Sequence, residues 1–249
     1  MTAEARPDMA QGELPQRRAV IAGGGSGIGQ ATAFRLAGEG WHLVLVGRNP
    51  LKLDETVSRI VAGGGQALAF PGDVRDWERM AELGALVEAE GIDLLVNSAG
   101  GQFPAHATDL SRNGWKAVVE TNLDGAFFLA RHLHDALARR RGAIINVVAN
   151  LWQKGAPTMA HSGAARAGVV NLTRTLAVEW AAEGIRVNAV SPGFTDTPAL
   201  LDRFKELVST VPLGRIGTVD EIVDAIIYLA GAGYVTGEVL TIDGGLQLV

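Results

Sequence analysis

The 249-residue sequence contains no cysteine, which excludes disulfide bonds and thiol chemistry. This absence is typical of proteins of the reducing cytoplasm, and we expect a cytoplasmic location. Long apolar runs are also missing: none approaches the roughly 20 residues that are needed to cross a bilayer. The first 16 residues are polar and lack the apolar segment of a secretory signal, so residues 1–16 are predicted to be a flexible tail. We therefore expect no membrane association.

Long blocks of basic residues are absent as well. The longest basic run is the three residues Arg139–Arg141, and the formal net charge is −5 with a sequence pI near 5.6. Surfaces that bind nucleic acid or an anionic membrane usually carry a basic patch. The sequence therefore predicts no nucleic-acid partner, and we expect no resident metal ion.

Glycine, in contrast, is abundant, and its densest cluster follows the first apolar run. The segment Ala19–Ala31 reads AVIAGGGSGIGQA, which indicates a strand, a tight turn and the start of a helix. In that arrangement, backbone amides and the helix dipole approach the negative charge of a pyrophosphate. A second apolar strand, Leu43–Val46, follows after one helix length, as a βαβ unit requires. The sequence predicts a nucleotide-binding loop, with a purely structural glycine turn as the alternative.

Strand and helix patterns alternate along the rest of the chain. The inner strands are nearly continuous apolar runs, which is typical of parallel strands buried on both faces. We predict an α/β fold, a doubly wound parallel seven-stranded sheet (Rossmann fold) with helices on both faces, as a single domain over residues 17–249. Further strands are predicted at Ala67–Phe70, Ile92–Val96, Ala143–Val148, Arg186–Val190 and Glu238–Ile242, and helices at Leu51–Ala62, Asp76–Glu90, Gly114–Arg141 with a break near Asn122–Gly125, His161–Ala182 and Val219–Ala230.

Ligands of doubly wound sheets bind outside the carboxyl ends of the strands. This rule gathers segments that are distant in sequence into one predicted site. They are Gly23–Gly29, Gly47 with Arg48, Asp73, Asn97–Gly100, Ala149–Trp152 and Pro192–Thr197.

Several of these segments resemble motifs of the classical short-chain dehydrogenase/reductase family. The segment AGGGSGIG is similar to the family's T-G-x(3)-G-x-G loop with Ala22 in place of threonine, NSAG to its N-N-A-G, SPGFTDT to its P-G segment and TIDGG to its C-terminal signature. The resemblance extends from Ala19 to Gly245. It implies a nicotinamide dinucleotide cofactor and hydride transfer. The cofactor-binding residues that it implies are Gly23, Gly25, Ser26, Gly27, Ile28, Gly29, Asp73, Val74, Asn97, Ala99, Gly100, Arg166, Pro192, Gly193, Thr195 and Thr197.

The end of the second strand bears on which dinucleotide binds. An acidic residue there would bind the adenosine ribose 2′-hydroxyl and repel a 2′-phosphate, whereas an arginine accommodates that phosphate. In this sequence Gly47 stands where that acidic residue would be, and Arg48 follows it. The sequence predicts NADP(H), with a solvated surface arginine as the alternative reading of Arg48.

The family's reaction ordinarily uses a serine and the motif Y-x-x-x-K. Alignment backwards from the segment NLTRTLA places the lysine at Arg166 and the tyrosine at Ser162. The serine falls at Ala149 or Asn150. None of the three standard residues is therefore present at its expected position.

The missing tyrosine limits the reaction. The two tyrosines, Tyr228 and Tyr234, lie near the end of the sequence and do not replace it locally. Reduction of a ketone produces an alkoxide, and a positioned acid typically contributes about 10²–10⁴-fold to such a step. Ser162 is a poor acid and Arg166 retains its proton. His161 titrates in the useful range and is a candidate donor, with an N-terminal surface histidine as the alternative.

Conjugate reduction of an α,β-unsaturated thioester places fewer demands on an acid, because neutral donors can stabilise the enolate. Three segments, GGQF, GWKAVVETNL and HSGAARAGV, resemble the peroxisomal trans-2-enoyl-CoA reductases and, more loosely, the 2,4-dienoyl-CoA reductases. The proton-donor tyrosine of the enoyl-CoA branch corresponds to Val170, so no donor is assigned. The resemblance implies a reductase in which Ser162, Asn150 and His161 are oxyanion donors and Arg166 fixes the ribose.

Other residues are given roles by the same resemblance. Asn122 matches an asparagine that distorts its helix and anchors a water, with a plain helix N-cap as the alternative. Further side chains of the same segments are candidates for the lining of an acyl pocket: Gln102, Phe103, Trp152 and Gln153.

Two other functions remain open. One is an NADP-dependent carbonyl reductase or alcohol dehydrogenase with an unidentified donor, and the other is a catalytically silent dinucleotide-binding subunit. The expected partners are a small-molecule substrate, in the first case an acyl-CoA, and further copies of the chain. The long helices and the family resemblance indicate a homo-oligomer, a tetramer or a dimer. Residues 196–212 are predicted to form a mobile helical excursion.

Overall fold

The computed structural model describes residues 16–198, 200 and 206–249. The predicted tail therefore lies outside the described residues except for Gln16. The same holds for residues 199 and 201–205 of the predicted excursion. The described end of that excursion, Glu206–Thr210, forms a short 3₁₀ helix.

The described residues form one sheet of seven parallel strands in the order β3-β2-β1-β4-β5-β6-β7. The predicted fold class is confirmed. The chain reverses its direction of winding between β1 and β4, which opens the crevice in which such sheets bind ligands. The strands are β1 (Arg18–Ala22), β2 (His42–Gly47), β3 (Gln66–Pro71), β4 (Leu94–Asn97), β5 (Ala143–Val147), β6 (Arg186–Pro192) and β7 (Val239–Ile242).

Helices connect the strands, and local capping groups explain where several of them begin. Asn49 accepts a hydrogen bond from Lys52 N at 3.2 Å at the start of α2, where Pro50 is the first helical residue. Thr218 and Glu221 form a capping box at the start of α8. The helices are α1 (Gly27–Gly38), α2 (Pro50–Ala62), α3 (Trp77–Glu88), α4 (Arg112–Val119), α5 (Gly125–His132), α6 (His134–Arg140), α7 (Ala160–Glu179) and α8 (Val219–Gly231).

The two faces of the sheet are covered by different helices. Residues of β1 alternate between the faces: Val20 packs with α3, α5, α6 and α7, whereas Ile21 packs with α1, α2 and α8. Fully buried leucines anchor both layers, for example Leu133 on one side and Leu36 on the other. Burying each such side chain contributes about 1.5–3 kcal/mol. The resulting rigid scaffold fixes the loops at the carboxyl edge of the sheet.

A π turn, Glu120–Asp124, joins α4 to α5. It overlaps the break that the sequence predicts near Asn122–Gly125. A π turn holds one residue more than an α-helical turn and often occurs at functional sites. It directs the Asn122 side chain into the interior, where the residue is only 3% exposed.

None of the helices in the described part of the chain is both long enough and apolar enough to span a membrane.

Candidate active site

The loop between β1 and α1 is built from glycines at positions with no room for a side chain. A Cβ on Gly29 would lie 2.4 Å from Gly23 O, and a Cβ on Gly23 would lie 2.8 Å from Ser98 O. Gly23 also has a φ of 81° and Gly27 a φ of 54°, which glycine adopts without strain. The backbone of this loop therefore lies against the residues that directly follow β4, at the switch point of the sheet.

The first amides of α1 point to the same edge. Ser26 precedes the helix with extended backbone, and within the described structure its side chain makes no capping hydrogen bond. The N–H groups of the first turn therefore lack intrahelical partners and carry the positive end of the helix dipole. This arrangement fits an anionic group such as a pyrophosphate.

The ends of β2 and β3 form the adjacent corner. The Gly72 N–H donates to Gly47 O at 3.0 Å, which holds the two strand ends together. Arg48 is exposed, and no hydrogen bond or ion pair engages it within the described residues. The N-cap of α3 is Asp76, whose side chain accepts from Arg79 N at 2.9 Å. Asp73 is therefore not the helix cap, and its neighbour Val74 is buried at 4% exposure.

A chain of buried amides connects β4, β5 and α7. The Asn97 Nδ2 group donates to Asn146 Oδ1 at 2.7 Å, and Asn146 Nδ2 donates to Thr173 Oγ1 at 2.9 Å. Thr173 in turn donates to Val169 O at 2.8 Å. Sequence reasoning identified Asn97 but missed Asn146 and Thr173. The signal for Asn146 was a single amide in an otherwise apolar strand.

Asn122 and Arg166 meet at Gly100. The Asn122 Nδ2 group donates to Val118 O at 2.7 Å and to Gly101 O at 2.9 Å, so the π turn is tied to the loop after β4. Asn122 is therefore not a helix N-cap. A Cβ on Gly100 would lie 2.6 Å from Asn122 Oδ1 and 2.9 Å from Arg166 Nη2. Only glycine fits between these two side chains.

Arg166 is partly exposed as a residue, but its guanidinium is enclosed, and no acidic side chain pairs with it among the described residues. Its Nη1 donates to Val147 O at 2.7 Å, and its Nε has no hydrogen-bond partner among the described residues. Burial lowers the pKa of Arg166 to about 10, so the guanidinium remains charged at neutral pH. A buried cation that lacks a counter-ion strongly favours a ligand carrying negative charge or oxygen acceptors.

A small pocket lies beside this guanidinium. It measures about 10 Å³, close to the space that one water molecule occupies. Three side chains of its lining each hold a buried polar atom that is unpartnered within the described part of the chain: Asn97 Oδ1, Asn122 Oδ1 and Arg166 Nε.

Ser162 pairs with the loop after β4. Its Oγ lies 2.6 Å from Gln102 Oε1, and the hydroxyl donates to the amide oxygen. Rotation of the Gln102 amide by half a turn would let its nitrogen donate to Ser162 and free the hydroxyl hydrogen for another acceptor. The sequence placed Gln102 in a substrate pocket. Its contact with Ser162 was missed, because nothing in the spacing of the two residues indicates it.

His161 lies under Phe103 rather than on the surface. The side chain is completely buried, and its ring meets that of Phe103 edge-on with centroids 4.7 Å apart. Its Nδ1 accepts the Ser162 backbone N–H at 2.9 Å, which places the ring proton on Nε2. That Nε2 is buried and, among the described residues, has no partner.

The loop after β5 contacts the end of β6. The Asn150 N–H donates to Pro192 O at 3.3 Å, and Trp152 Nε1 donates to Ser191 Oγ at 3.1 Å. In the described structure no hydrogen bond joins Asn150 to Ser162. The next residue, Leu151, lies against the start of α7, since a Cβ on Gly163 would lie 3.5 Å from Leu151 O.

The segment after β6 forms the side of the site opposite the β2–β3 corner. A Cβ on Gly193 would lie 2.7 Å from Asp243 Cα, and Thr195 Oγ1 donates to Gly193 O at 3.2 Å. Thr197 reaches the glycine loop, since its Cβ lies 3.9 Å from the Cβ position of Gly27. Segments at the start and the end of the predicted site are thus in contact. The geometry of this edge fits a dinucleotide. The glycine loop leaves room for the backbone to approach a ligand, and the first amides of α1 are free to donate to it. Arg48 and Arg166 add positive charge.

Comparisons with known proteins agree with this architecture. Residues 22–247 match the family model described as enoyl-(acyl carrier protein) reductase. The chain is 40% identical to the Bacillus subtilis protein named "probable 2,4-dienoyl-CoA reductase [(2E)-enoyl-CoA-producing]", over 94% of this chain and 98% of that one.

Two solved structures are similar over nearly their whole length. The citronellol catabolism dehydrogenase of Pseudomonas aeruginosa PAO1 is 41% identical with a TM-score of 0.84, and 93% of this chain and 95% of that one are covered. A Beutenbergia cavernae protein, assigned as an NAD(P)-dependent gluconate 5-dehydrogenase and containing NADP at low occupancy, is 36% identical with a TM-score of 0.89 over 95% and 98% of the two chains. The chain described here belongs to the short-chain dehydrogenase/reductase family and is an oxidoreductase of that family.

Proposed function

We propose that this protein is an NADPH-dependent reductase of α,β-unsaturated acyl thioesters, with an acyl-CoA as substrate. The observation that carries the proposal is the Gln102–Ser162 hydrogen bond of 2.6 Å, at the position where the family resemblance predicts a tyrosine. The site thus offers amide and hydroxyl donors in place of a phenol. Such donors can stabilise an enolate but are too weak as acids to protonate an alkoxide efficiently.

Each side chain of the site has a distinct part in this reaction. When bound, the dinucleotide supplies a hydride equivalent to the β-carbon of the substrate. Negative charge then collects on the thioester oxygen. The Ser162 hydroxyl stabilises it by hydrogen bonding once the Gln102 amide has rotated by half a turn, so that its nitrogen donates to Ser162 Oγ and orients the hydroxyl. Arg166 adds a fixed positive charge, which is worth more in a dry interior than in water. Water protonates the α-carbon after the enolate has formed.

NADPH is favoured over NADH by the corner between β2 and β3. Gly47 provides no carboxylate to bind a ribose 2′-hydroxyl, and the exposed guanidinium of Arg48 is free to pair with a 2′-phosphate. The NADP in the Beutenbergia cavernae structure supports the choice of a phosphorylated dinucleotide.

The relative from Bacillus subtilis supports a dienoyl thioester as a second substrate of the same class. Extended conjugation spreads the negative charge further, so the donor set of Ser162 and Gln102 would serve this substrate as well. The dehydrogenase names of the two solved structures favour a ketone or alcohol instead, which is the competing activity to be tested.

The test is NADPH oxidation, followed by absorbance, with crotonyl-CoA, a 2,4-dienoyl-CoA and a panel of ketones. We expect turnover with the thioesters and none with the ketones. Turnover with ketones alone would overturn the proposal in favour of a carbonyl reductase. Tight NADPH binding without turnover of any substrate would instead indicate a silent dinucleotide-binding subunit.

We also propose that the protein is a cytoplasmic homo-oligomer. Large apolar side chains remain exposed on α4, α5 and α7, where Trp115 is 41%, Phe127 39% and Val178 82% exposed. Such exposure is typical of helix faces that pack against another subunit. Light scattering after size-exclusion chromatography would give the mass, and a monomer at micromolar concentration would contradict this assignment.

A further inference from the structure

The loop after β4 runs antiparallel to the chain that enters α7, and contacts follow one another along the two segments. Gln102 Oε1 lies 2.6 Å from Ser162 Oγ. One residue further along the loop, the ring of Phe103 meets that of His161, one residue back in α7, with centroids 4.7 Å apart. The contact that holds the Ser162 hydroxyl is therefore one member of a series, and its geometry depends on its neighbours.

The series continues with a backbone contact at Thr158. The Ala105 N–H donates to Thr158 O at 3.0 Å. Thr158 has a φ of 67°, which β-branched residues rarely adopt. A strained backbone of this kind persists only where the surrounding structure holds it. The path of the chain into α7 is therefore shaped by its contact with the loop after β4.

His161 belongs to both segments, because its ring makes two different contacts. Its Nδ1 accepts the Ser162 backbone N–H at 2.9 Å, and the same ring packs on Phe103. The first N–H groups of a helix have no acceptor within the helix. Met159, the residue before α7, supplies none from its side chain. The imidazole therefore acts as a cap that fixes the backbone of Ser162.

Phe103 carries the effect of His161 to the loop. A Cβ on Gly114 would lie only 2.9 Å from Phe103 Cζ, so the phenyl ring is held between α4 and the imidazole. Gln102 directly precedes Phe103 in the chain. Fixing the ring of Phe103 therefore restricts where the Gln102 side chain can lie.

We propose that His161 is a positioning residue, which holds Ser162 and Gln102 at hydrogen-bond distance and acts on Ser162 rather than on the substrate. This role rests on the proposed reduction of an acyl thioester, in which the Ser162 hydroxyl stabilises the enolate. Nδ1 and the ring carry the role, and the buried Nε2 is not required for it. A displacement of about 1 Å can cost on the order of a hundredfold in rate, so positioning alone accounts for a large effect.

Two amide variants separate the two ring nitrogens. In His161→Asn the amide oxygen can take the place of Nδ1 and accept the Ser162 N–H, whereas the longer side chain of His161→Gln brings its amide to the place of Nε2. Both variants lose the ring. We expect kcat with crotonyl-CoA to fall by no more than about threefold in His161→Asn and by about tenfold or more in His161→Gln. KM should be unchanged, because the Ser162 hydroxyl acts on charge that develops in the transition state.

Phe103→Ala tests the same role from the loop, at a position that is 41% exposed and therefore less important for folding. We expect kcat to fall by about tenfold, and the loss to disappear when Ser162 is already alanine, because the ring acts through Ser162. Leu86→Ala on α3 is the matched control. It removes an apolar side chain that is 50% exposed and lies outside the site, so kcat should be unchanged.

The possible failures are distinguishable. If His161→Gln is as active as His161→Asn or more active, the positioning role through Nδ1 is overturned while the proposed function stands. A loss in Phe103→Ala that keeps its full size in the Ser162→Ala protein would also overturn the role, since the ring would then act on the substrate itself. If the unmodified protein turns over no thioester, the proposed function fails together with the role of His161. Thermal unfolding of each variant checks that it is folded.

Discussion

Asn122 Oδ1 and Arg166 Nη2 both lie within 3 Å of the point where a Cβ of residue 100 would stand, at 2.6 and 2.9 Å. The π turn and α7 therefore approach each other through a single glycine. This contact places a buried guanidinium beside the loop that carries Gln102.

Gly100→Ala is expected to impair the site without unfolding the protein. The added methyl group must displace Asn122 or Arg166, and a displacement of about 1 Å can cost on the order of a hundredfold in rate. Steady-state kinetics should show a large loss of kcat/KM. Gly101→Ala is the control, because a Cβ there meets nothing within 4 Å. Equal losses in both variants would contradict the importance of the contact at Gly100.

Arg166→Met is expected to weaken NADPH binding while leaving the protein as stable or making it more stable. A pKa of about 10 instead of 12.5 means that the buried charge disfavours folding at neutral pH, by on the order of 3 kcal/mol. The variant removes that penalty and loses the hydrogen bond to Val147 O, worth about 1 kcal/mol. Denaturant unfolding measures the stability of the variant, and titration with NADPH measures its affinity for the dinucleotide. A large loss of stability would assign Arg166 a structural role.

Ser162→Ala and Gln102→Ala are expected to lower kcat with crotonyl-CoA by similar factors, and the double variant should be little worse than either. The reason is that Gln102 acts by orienting the Ser162 hydroxyl across 2.6 Å. A double-mutant cycle should give a coupling of about 0.5–3 kcal/mol in the transition state. Fully additive losses would show that the two side chains act independently.

Gly47→Asp combined with Arg48→Ala is expected to shift the preference from NADPH towards NADH. A Cβ at position 47 would lie 3.4 Å from Leu53 Cδ2, an ordinary contact, so the side chain fits. The new carboxylate would bind a ribose 2′-hydroxyl and repel a 2′-phosphate. The ratio of the two dissociation constants checks this. Arg59→Ala, which removes a guanidinium that lies over Phe34, should leave the ratio unchanged.

His134 is expected to stabilise the protein more at low pH than at high pH. Burial opposes its charge, but hydrogen bonds to Asp135 at 2.8 Å and Glu183 at 3.1 Å outweigh burial and raise its pKa above 6.5. The stabilisation is complete below the unfolded pKa and is lost as the pH rises through the higher folded pKa. His134→Gln should therefore destabilise more at about pH 5.5 than at about pH 8.5.

His132→Gln supplies a control of opposite sign. Burial, with help from Arg131, lowers the pKa of His132. The contribution of His132 to the stability of the fold is therefore present above pH 6.5. It is lost as the pH falls through the lowered pKa of the folded state. Urea unfolding at the two pH values measures both variants. The same pH trend in both would contradict the assigned shifts.

The sheet could be predicted because most of its strands are short apolar runs that alternate along the chain with helical patterns. Boundaries were less predictable. β4 begins at Leu94 rather than Ile92, since Gly91 has a φ of 69° and the Ile92 N–H donates to Ala136 O at 3.0 Å, outside the sheet. Helix periodicity indicated a break near Asn122 but not its nature, because an inserted residue disturbs the pattern in the same way as a loop.

The rule that ligands bind at the carboxyl edge of the sheet predicts that segments distant in sequence share one region. It could not predict which side chains touch. The Gln102–Ser162 bond joins a loop to a helix 60 residues away, and the burial of His161 under Phe103 depends on the path of the same loop. Contacts of this kind arise from tertiary packing and leave no periodic signal in a sequence.

The π turn also limits how this chain can diverge. The segment Arg112–His132 holds one residue more than a regular helix of the same rise, so deletion of one residue at the π turn would give a regular helix without the turn that directs Asn122 to Gly101 O. Changes in length can therefore accumulate at the rim, in the connections after β4 and β5, whereas the helical segment keeps a constant residue count. New substrate preferences in descendants of this chain would be acquired through those two connections.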